Sequence, residues 1–122
     1  MAHFIKLNTY SDGRGDLTVI QENLPFLIKR VFYLYNLNKN QRGGHRHHRL
    51  MEAVICLQGS FSITIENETG RKDFVLSEPD KCLIIPSADF RILHSFSKNC
   101  IVLALASCKY NKNDYIYQDY SK

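Results

Sequence analysis

Long apolar runs are absent from this 122-residue chain, which excludes a membrane-spanning helix, because such a helix needs about 20 apolar residues. The first residues also lack the basic stretch followed by an apolar one that marks a secretory signal peptide. Internal repeats and low-complexity segments are missing as well. We therefore expect a cytoplasmic protein that has no membrane partner.

Paired cysteine motifs are also absent. None of the four cysteines belongs to a C-x-x-C pair, so their spacing indicates neither a zinc site nor a redox motif. Cys56, Cys82 and Cys100 lie inside apolar runs, and Cys108 follows one. This placement is typical of small buried side chains in a reducing compartment, and it argues against disulfides.

Clusters of positive charge are the third missing feature. The formal net charge is +4, but the lysines and arginines are scattered along the chain. A nucleic-acid-binding protein would concentrate them on one face or in one run, so we expect no nucleic-acid partner. A mild positive excess does suit a small anionic ligand, such as a nucleotide diphosphate.

The chain does contain many short apolar runs separated by turn residues. This pattern is typical of an all-β sandwich or barrel, and we expect one domain, 1–122, with roughly nine to eleven strands and no clear helix. The long aromatic and β-branched run 26–35 predicts one strand, and 36–44 predicts a loop. The tyrosine-rich end, 110–122, is expected to pack as a strap over the barrel.

The most informative motif is Gly-Gly-His-Arg-His at 43–47. Alternate residues of a strand point to the same face, so His45 and His47 should converge on one point. There they would either hold a metal ion or transfer protons on a bound ligand. With Glu52 and Gly59 they reproduce the first signature of the cupin barrels, H-x-H followed by a glutamate and a glycine.

The second cupin signature is incomplete, which bears on the metal. Ala88 replaces its glycine and Arg91 its histidine, so a permanent cation stands where a metal ligand is usual. Glu52 follows His47 by five residues, so on an unbroken strand the two face opposite sides unless a β-bulge intervenes. Three functions stay open at this point: proton transfer by the histidines, a metal-dependent cupin that uses His45, His47 and Glu52, and a non-catalytic sugar-binding cupin.

Further segments along the chain match the motifs of one protein family. Segment 29–33 reads K-R-V-F-Y against K-R-V-Y-Y, 42–47 reads R-G-G-H-R-H against R-G-x-H-A-H, and 54–60 reads V-I-C-L-Q-G-S against V-L-V-C-L-x-G-S. Segment 85–97 resembles an I-P-P-x-x-W-H element, and 105–107 together with 114–116 resembles the family's C-terminus. Together these segments resemble the nucleotide-sugar 3,4-ketoisomerases, small cupins that isomerise dTDP-4-keto-6-deoxyglucose.

The resemblance implies a fold, a reaction and partners. The fold is an all-β small cupin, an RmlC-like jelly-roll barrel. The reaction moves the ketone of a dTDP-linked 4-keto-6-deoxy sugar from C4 to C3 through an enediol(ate), with no cofactor and no metal. Relatives form homodimers that exchange an N-terminal strand, which 4–7 would supply here. The product would enter deoxysugar biosynthesis for a surface polysaccharide.

The resemblance also implies roles for individual residues. His47 would be the base at carbon, His45 would support proton shuttling or orientation, and Tyr33 would hydrogen-bond the sugar oxygens. Arg91 would bring a cation near the developing enolate oxygen or would instead pair with a nearby carboxylate.

Two arginines are candidates for binding the pyrophosphate, because a guanidinium can donate two hydrogen bonds to phosphate oxygens. Arg42 lies beside the histidine motif, and Arg14 lies in a turn flanked by glycines. Arg30 lies on the opposite face of its predicted strand from Tyr33, so it is expected at a dimer interface. The configuration of the product at C4, gluco or galacto, is not predicted.

Overall fold

The computed structural model describes residues 1–121, and this part of the chain contains twelve strands and one 3-10 turn. The strands are β1 (His3–Lys6), β2 (Asn8–Asp12), β3 (Gly15–Val19), β4 (Arg30–Leu34), β5 (Arg42–His47), β6 (Glu52–Gln58), β7 (Phe61–Asn67), β8 (Gly70–Leu76), β9 (Lys81–Ile85), β10 (Phe90–His94), β11 (Ile101–Ala106) and β12 (Tyr115–Ile116). The 3-10 turn is Lys112–Asp114. Lys122, the last residue of the expected domain and of the expected strap, lies outside the described residues. Among residues 1–121, no helix is long and apolar enough to cross a membrane.

Ten of the strands form two five-stranded antiparallel sheets. The first sheet has the order β1-β9-β6-β11-β4, and the second has the order β12-β5-β10-β7-β8. The remaining strands, β2 and β3, form a separate hairpin. Side chains of both large sheets, such as Val54, Ile63, Leu83 and Val102, pack together in one buried apolar core. Two packed antiparallel sheets are the architecture of a jelly roll, which confirms the predicted all-β fold class.

The first sheet is also apolar on its outer face. Ile84 and Leu105 are at most 3% exposed there, and they belong to a second apolar cluster. Ile20, Leu24 and Phe26, from the segment before β4, pack over that cluster. Strands covered on both faces lose the alternation of apolar and polar residues. The sequence of this sheet therefore does not reveal which face is inside.

The structure differs from the sequence prediction at two strand boundaries. The strand expected over 26–35 is confined to Arg30–Leu34, because Phe26 leaves the sheet and covers its outer face. The expected loop 36–44 is shorter, since β5 begins at Arg42. Residues 115–116 of the expected strap do pack on the barrel, because β12 pairs with β5.

Candidate active site

A β-bulge just before the histidines determines where they point. Arg91 of β10 pairs with His45 and Ile92 pairs with Gly43, so Gly44 is the extra residue on β5. Gly43 and Gly44 have φ angles of 85° and 77°, which residues with a side chain rarely adopt. A Cβ at Gly43 would also lie 2.8 Å from the carbonyl oxygen of Arg91. The two glycines therefore permit the bulge that presents His45 to the interior.

A cavity of about 200 Å³ opens between the two large sheets beside this bulge. One part of its wall is charged or polar, and the other part is apolar. The polar part consists of Arg30, Arg42, His45, Glu52, Arg91 and Tyr115, and the apolar part includes Phe32, Leu34, Val54, Leu93, Val102 and Ala104. Such a mixed wall suits a ligand that has both charged and apolar parts.

The two imidazole rings are in contact but lie at different depths. Their centroids are 4.9 Å apart, with an angle of 81° between the ring planes. His45 lines the cavity, whereas the side chain of His47 is only 1% exposed. The ring of Tyr115 packs against both, with its centroid 4.7 Å from that of His45 and 4.6 Å from that of His47. The strand spacing therefore does bring the two histidines together.

Arg91 is enclosed next to the histidines and is 1% exposed. Its Nη1 donates to Glu52 Oε1 across the barrel at 3.4 Å. Its Nη2 donates to the carbonyl oxygens of Pro86 and Asp89 at 3.1 and 2.9 Å, and its Nε donates to that of Asp89 at 3.3 Å. Burial holds the pKa of Arg91 below its usual value, although the Glu52 carboxylate favours the charged form. The guanidinium is thus a fixed cation beside the imidazoles.

Glu52 also faces the cavity, contrary to the parity argument. Strand parity holds only along one unbroken strand, but the chain turns at 48–51 and Glu52 begins a strand of the other sheet. Its carboxylate is already paired with Arg91. Within residues 1–121, no three His, Cys, Asp or Glu side chains are grouped so that they could hold a metal ion. The donors present do not fit a divalent metal, because the third candidate ligand is bonded to a guanidinium.

Both imidazoles titrate below their ordinary range. Burial, and then the charge of Arg91, lower the pKa of His45 to about 4. The pKa of His47 is also lowered to about 4, by burial first, then by Arg91 and His45, while the Asp114 carboxylate opposes them. Both rings are therefore neutral at pH 7, and each has a nitrogen lone pair that can accept a proton.

These lowered pKa values predict a loss of stability in mild acid. Between the pKa of about 6.5 of an unfolded histidine and the value of about 4 of His45 and His47, the unfolded chain binds protons that the folded chain does not. The free energy of unfolding should therefore fall as pH falls through this window. Urea titrations at a series of pH values would measure the slope. In His45→Gln and His47→Gln the slope should be smaller than in wild type, and an equal slope would contradict the pKa values.

Tyr33 lies outside the cavity, which corrects the expectation that it hydrogen-bonds the sugar. Phe32 and Leu34 of β4 line the cavity, so Tyr33 between them points to the other face of the sheet. Its side chain is 62% exposed and stacks on Tyr35, with 5.8 Å between ring centroids. The physical reason is strand parity, since adjacent residues of a strand cannot share a face.

The arginines are placed differently from one another. Arg42 lines the cavity, and so does Arg30, which sequence reasoning assigned to an interface. The Arg30 guanidinium lies 4.6 Å from the centroid of the Phe32 ring. Arg14 lies in the turn of the β2–β3 hairpin, where its 92% exposed side chain pairs with Asp12 at 2.7 Å. Arg14 is not part of the cavity wall.

Sequence reasoning assigned no role to two residues at the site, Asp114 and Tyr115. Asp114 Oδ2 lies 3.2 Å from His47 Nδ1, and Tyr115 packs on both imidazoles. Both belong to the tyrosine-rich end of the chain, which has no apolar periodicity. The resemblance of 105–107 together with 114–116 to the C-terminus of the ketoisomerases was the available signal.

Comparison with known proteins places the chain among sugar-nucleotide enzymes. A family model described as "FdtA: WxcM-like, C-terminal" matches residues 1–122. TDP-4-oxo-6-deoxy-alpha-D-glucose-3,4-oxoisomerase from Aneurinibacillus thermoaerophilus is 36% identical over 110 residues, a match that covers 88% of this chain and 79% of that protein.

Solved structures agree with this placement. A histidine-to-asparagine variant of the 3,4-ketoisomerase QdtA from Thermoanaerobacterium thermosaccharolyticum, in complex with TDP-4-keto-6-deoxyglucose, superposes with a TM-score of 0.92 at 34% identity, and the match covers 96% of this chain and 87% of that one. The 3,5-epimerase RmlC from Legionella pneumophila Philadelphia 1 matches with a TM-score of 0.79 at 15% identity over 98% of this chain and 73% of that one, which shows the cupin barrel alone. The chain therefore belongs to the WxcM-like FdtA family, the family of the TDP-sugar 3,4-ketoisomerases.

Proposed function

We propose that this protein converts dTDP-4-keto-6-deoxyglucose into a dTDP-3-keto-6-deoxyhexose. The observation that carries the proposal is that two neutral imidazoles, His45 and His47, are in contact with each other next to the buried guanidinium of Arg91. The relative from Aneurinibacillus thermoaerophilus is named for this 3,4-oxoisomerisation, which supports the same substrate class for this chain. Isomerisation requires proton transfers but no net oxidation, so imidazoles are sufficient.

The chemistry can be divided between the two histidines. His47 takes the proton from C3, which gives an enediolate across C3 and C4, and a proton is then delivered to C4. His45, which lines the cavity, moves the proton between the oxygens at C3 and C4. Neutral histidines suit both tasks, since each can accept a proton and return it.

Arg91 has one N–H left for the substrate. A guanidinium has five N–H groups, and four of them are directed to the Glu52 carboxylate and to the carbonyl oxygens of Pro86 and Asp89. The remaining Nη1 hydrogen is the one available to the cavity, which Arg91 lines. We propose that it stabilises the enediolate oxygen, because a cation fixed before the reaction needs no reorganisation.

Arg42 and Arg30 are the proposed partners of the pyrophosphate. Both residues line the cavity, and a guanidinium binds phosphate oxygens in a forked geometry. The Arg30 guanidinium packs over the aromatic ring of Phe32. Arg14 and Tyr33 have no part in this proposal, because Arg14 lies in the exposed turn of the β2–β3 hairpin and Tyr33 is exposed on the outer face of β4.

The proposed function is tested by incubating the protein with dTDP-4-keto-6-deoxyglucose and following the sugar by ¹H NMR. The proposal predicts a 3-keto product, and the ring coupling constants will assign its gluco or galacto configuration. A metal-dependent cupin would instead lose turnover after dialysis against a chelator and regain it with iron, manganese or zinc. A sugar-binding cupin without activity would bind the nucleotide and leave the sugar unchanged.

We further propose a homodimer. Val31 and Tyr33 lie on the outer face of β4, an edge strand, and Tyr35 directly follows it; the three residues are 57%, 62% and 60% exposed. Exposed apolar side chains on one face indicate an interaction surface, and a second copy would cover them. At the other edge of the same sheet, β1 pairs with β9 of its own chain. After strand exchange β1 would make the same pairs with the partner's β9.

The dimer predicts that Tyr33→Glu converts the protein to a monomer. A carboxylate at the centre of the apolar face would have to be buried without a partner when two copies associate. Light scattering after size exclusion should give twice the chain mass of 14.2 kDa for wild type and once that mass for the variant. Val75→Glu, at a 64% exposed position of β8, is the matched control and should stay dimeric. A monomeric wild type would contradict the proposal.

We also infer a single cupin domain that works in the cytoplasm. All four cysteines are free, and Cys56, Cys82 and Cys100 are buried. Burial raises the pKa of the Cys56 and Cys82 thiols to about 12, so they stay protonated and unreactive at neutral pH. Free buried thiols of this kind are typical of proteins that function in a reducing compartment.

A further inference from the structure

The Asp114 carboxylate lies beside the His47 ring, and Asp114 is not part of the cavity wall. Its Oδ2 lies 3.2 Å from His47 Nδ1, and the two side chains are only 10% and 1% exposed. Nδ1 itself is buried, and no atom among residues 1–121 forms a well-aligned hydrogen bond with it. Asp114 Oδ2 is therefore the polar atom that lies next to Nδ1.

Asp114 is held in place independently of His47. Its Oδ1 accepts a hydrogen bond from the backbone N–H of Arg49 at 2.9 Å, and its Oδ2 accepts one from that of Leu50 at 3.1 Å. Its carbonyl oxygen accepts from the N–H of His48 at 3.0 Å. The carboxylate is thus tied to the turn that directly follows His47, so its position relative to the imidazole is determined by the backbone.

This arrangement distinguishes the two ring nitrogens of His47. A neutral imidazole has one N–H donor and one lone pair, and a carboxylate can only accept. With Asp114 beside Nδ1, the hydrogen belongs on Nδ1 and the lone pair on Nε2. The other charged or titratable groups that face His47 are Arg91, His45 and Tyr115, and Arg91 repels the protonated ring. Asp114 is the negative group that opposes that repulsion.

We propose that Asp114 is a positioning residue for catalysis, which fixes the Nδ1–H tautomer of His47 so that Nε2 faces the substrate as the base. The kinetic part of this inference rests on the proposed function, but the tautomer does not. Nothing is transferred to Asp114 itself. The proton taken from C3 resides on Nε2 of His47, and the carboxylate stabilises the imidazolium that results.

The first test needs no substitution. Long-range ¹H–¹⁵N NMR of wild-type protein at pH 7 should show His47 with a protonated Nδ1 and an unprotonated Nε2. A spectrum with the proton on Nε2 would overturn the proposal, whether or not any variant folds and whether or not the protein is an isomerase.

The second test is Asp114→Asn, with Asp119→Asn as the matched control. Asp119 is an exposed carboxylate of the same segment that accepts a hydrogen bond from the N–H of Ser121. We expect kcat of Asp114→Asn to fall about 100-fold with little change in KM, as for other residues that orient a functional imidazole. The pKa of His47 should fall further, because an opposing negative charge is gone, and its tautomer should become mixed.

The outcomes separate positioning from a purely structural role. If Asp114→Asn only lowers the melting temperature and keeps kcat and the His47 tautomer, the proposal is wrong. Equal losses of kcat in Asp119→Asn would also refute it, since they would indicate a general effect of the C-terminal segment. If wild-type protein has no isomerase activity, the proposed function is wrong. The NMR spectrum of His47 would still show whether Asp114 fixes the tautomer.

Discussion

Turnover of dTDP-4-keto-6-deoxyglucose is expected to fall about a thousandfold when His47 is replaced by asparagine, the size typical of a lost general base. Asparagine keeps a polar side chain of similar reach but cannot accept and return a proton at neutral pH. The nucleotide should still bind with nearly the wild-type Kd, because the arginines proposed to hold the pyrophosphate are unchanged. Steady-state kinetics together with calorimetric titration of TDP would separate the two effects.

His48→Asn is the matched control for this experiment. His48 is adjacent in the sequence, but its side chain is exposed on the turn after β5. The control should keep wild-type turnover. Equal turnover in His47→Asn and wild type would remove His47 from the mechanism, and equal losses in both variants would show that the effect is not specific to the buried imidazole.

The second large effect is a lower free energy of unfolding, which we expect for Arg91→Met. The substitution removes one partner of a buried ion pair, so the Glu52 carboxylate is left uncompensated and the carbonyl oxygens of Pro86 and Asp89 lose their donor. Breaking such a pair costs about 3–5 kcal/mol in the free energy of unfolding. Urea denaturation of the variant and of wild type would measure this difference.

Two further variants show whether the ion pair is the cause. Arg14→Met breaks the shorter pair of Arg14 with Asp12, but that pair is exposed, so the unfolding midpoint should barely move. Glu52→Gln combined with Arg91→Met removes the uncompensated charge and should recover part of the lost stability. If Arg91→Met unfolds at the wild-type urea concentration, Arg91 is not the buried cation described above.

The fold was accessible from the sequence because apolar runs and turns are local signals. The spacing of His45 and His47 was equally local, since two residues of one strand share a face whatever the rest of the chain does. The glycines at 43 and 44 show the limit of that reasoning. Two consecutive glycines predict a turn as readily as a bulge, and only the pairing of β5 with β10 decides between them.

Tyr33 and Glu52 show why the sequence could not predict which of these side chains face the cavity. Every residue of 31–35 is apolar or aromatic, so alternation does not tell whether Tyr33 or its neighbours Phe32 and Leu34 point inward. The position of Glu52 depends on a four-residue turn, 48–51, that carries the chain to the other sheet. Parity is reliable within a strand and has no meaning across such a turn.

The C-terminal segment is the third case. Asp114 and Tyr115 reach the histidines only because 115–116 adds to the edge of β5, and two residues are too few to produce a periodic pattern. Arg46 helps to hold the same segment from the outer face of β5. Its Nε donates to the carbonyl oxygen of Gln118, and its guanidinium lies 4.4 Å from the centroid of the Tyr120 ring. Local sequence patterns do not predict contacts between residues so far apart in the chain.

The most direct test of the histidine pair as a proton-transfer device is ¹³C NMR of dTDP-4-keto-6-deoxyglucose incubated in D₂O with protein that has been dialysed against a chelator. Proton transfer by His45 and His47 predicts that the carbonyl signal moves from C4 to C3 without added metal, and that deuterium from the solvent appears on carbon. A sugar that binds but keeps its ketone at C4 and its hydrogen at C3 would contradict the account.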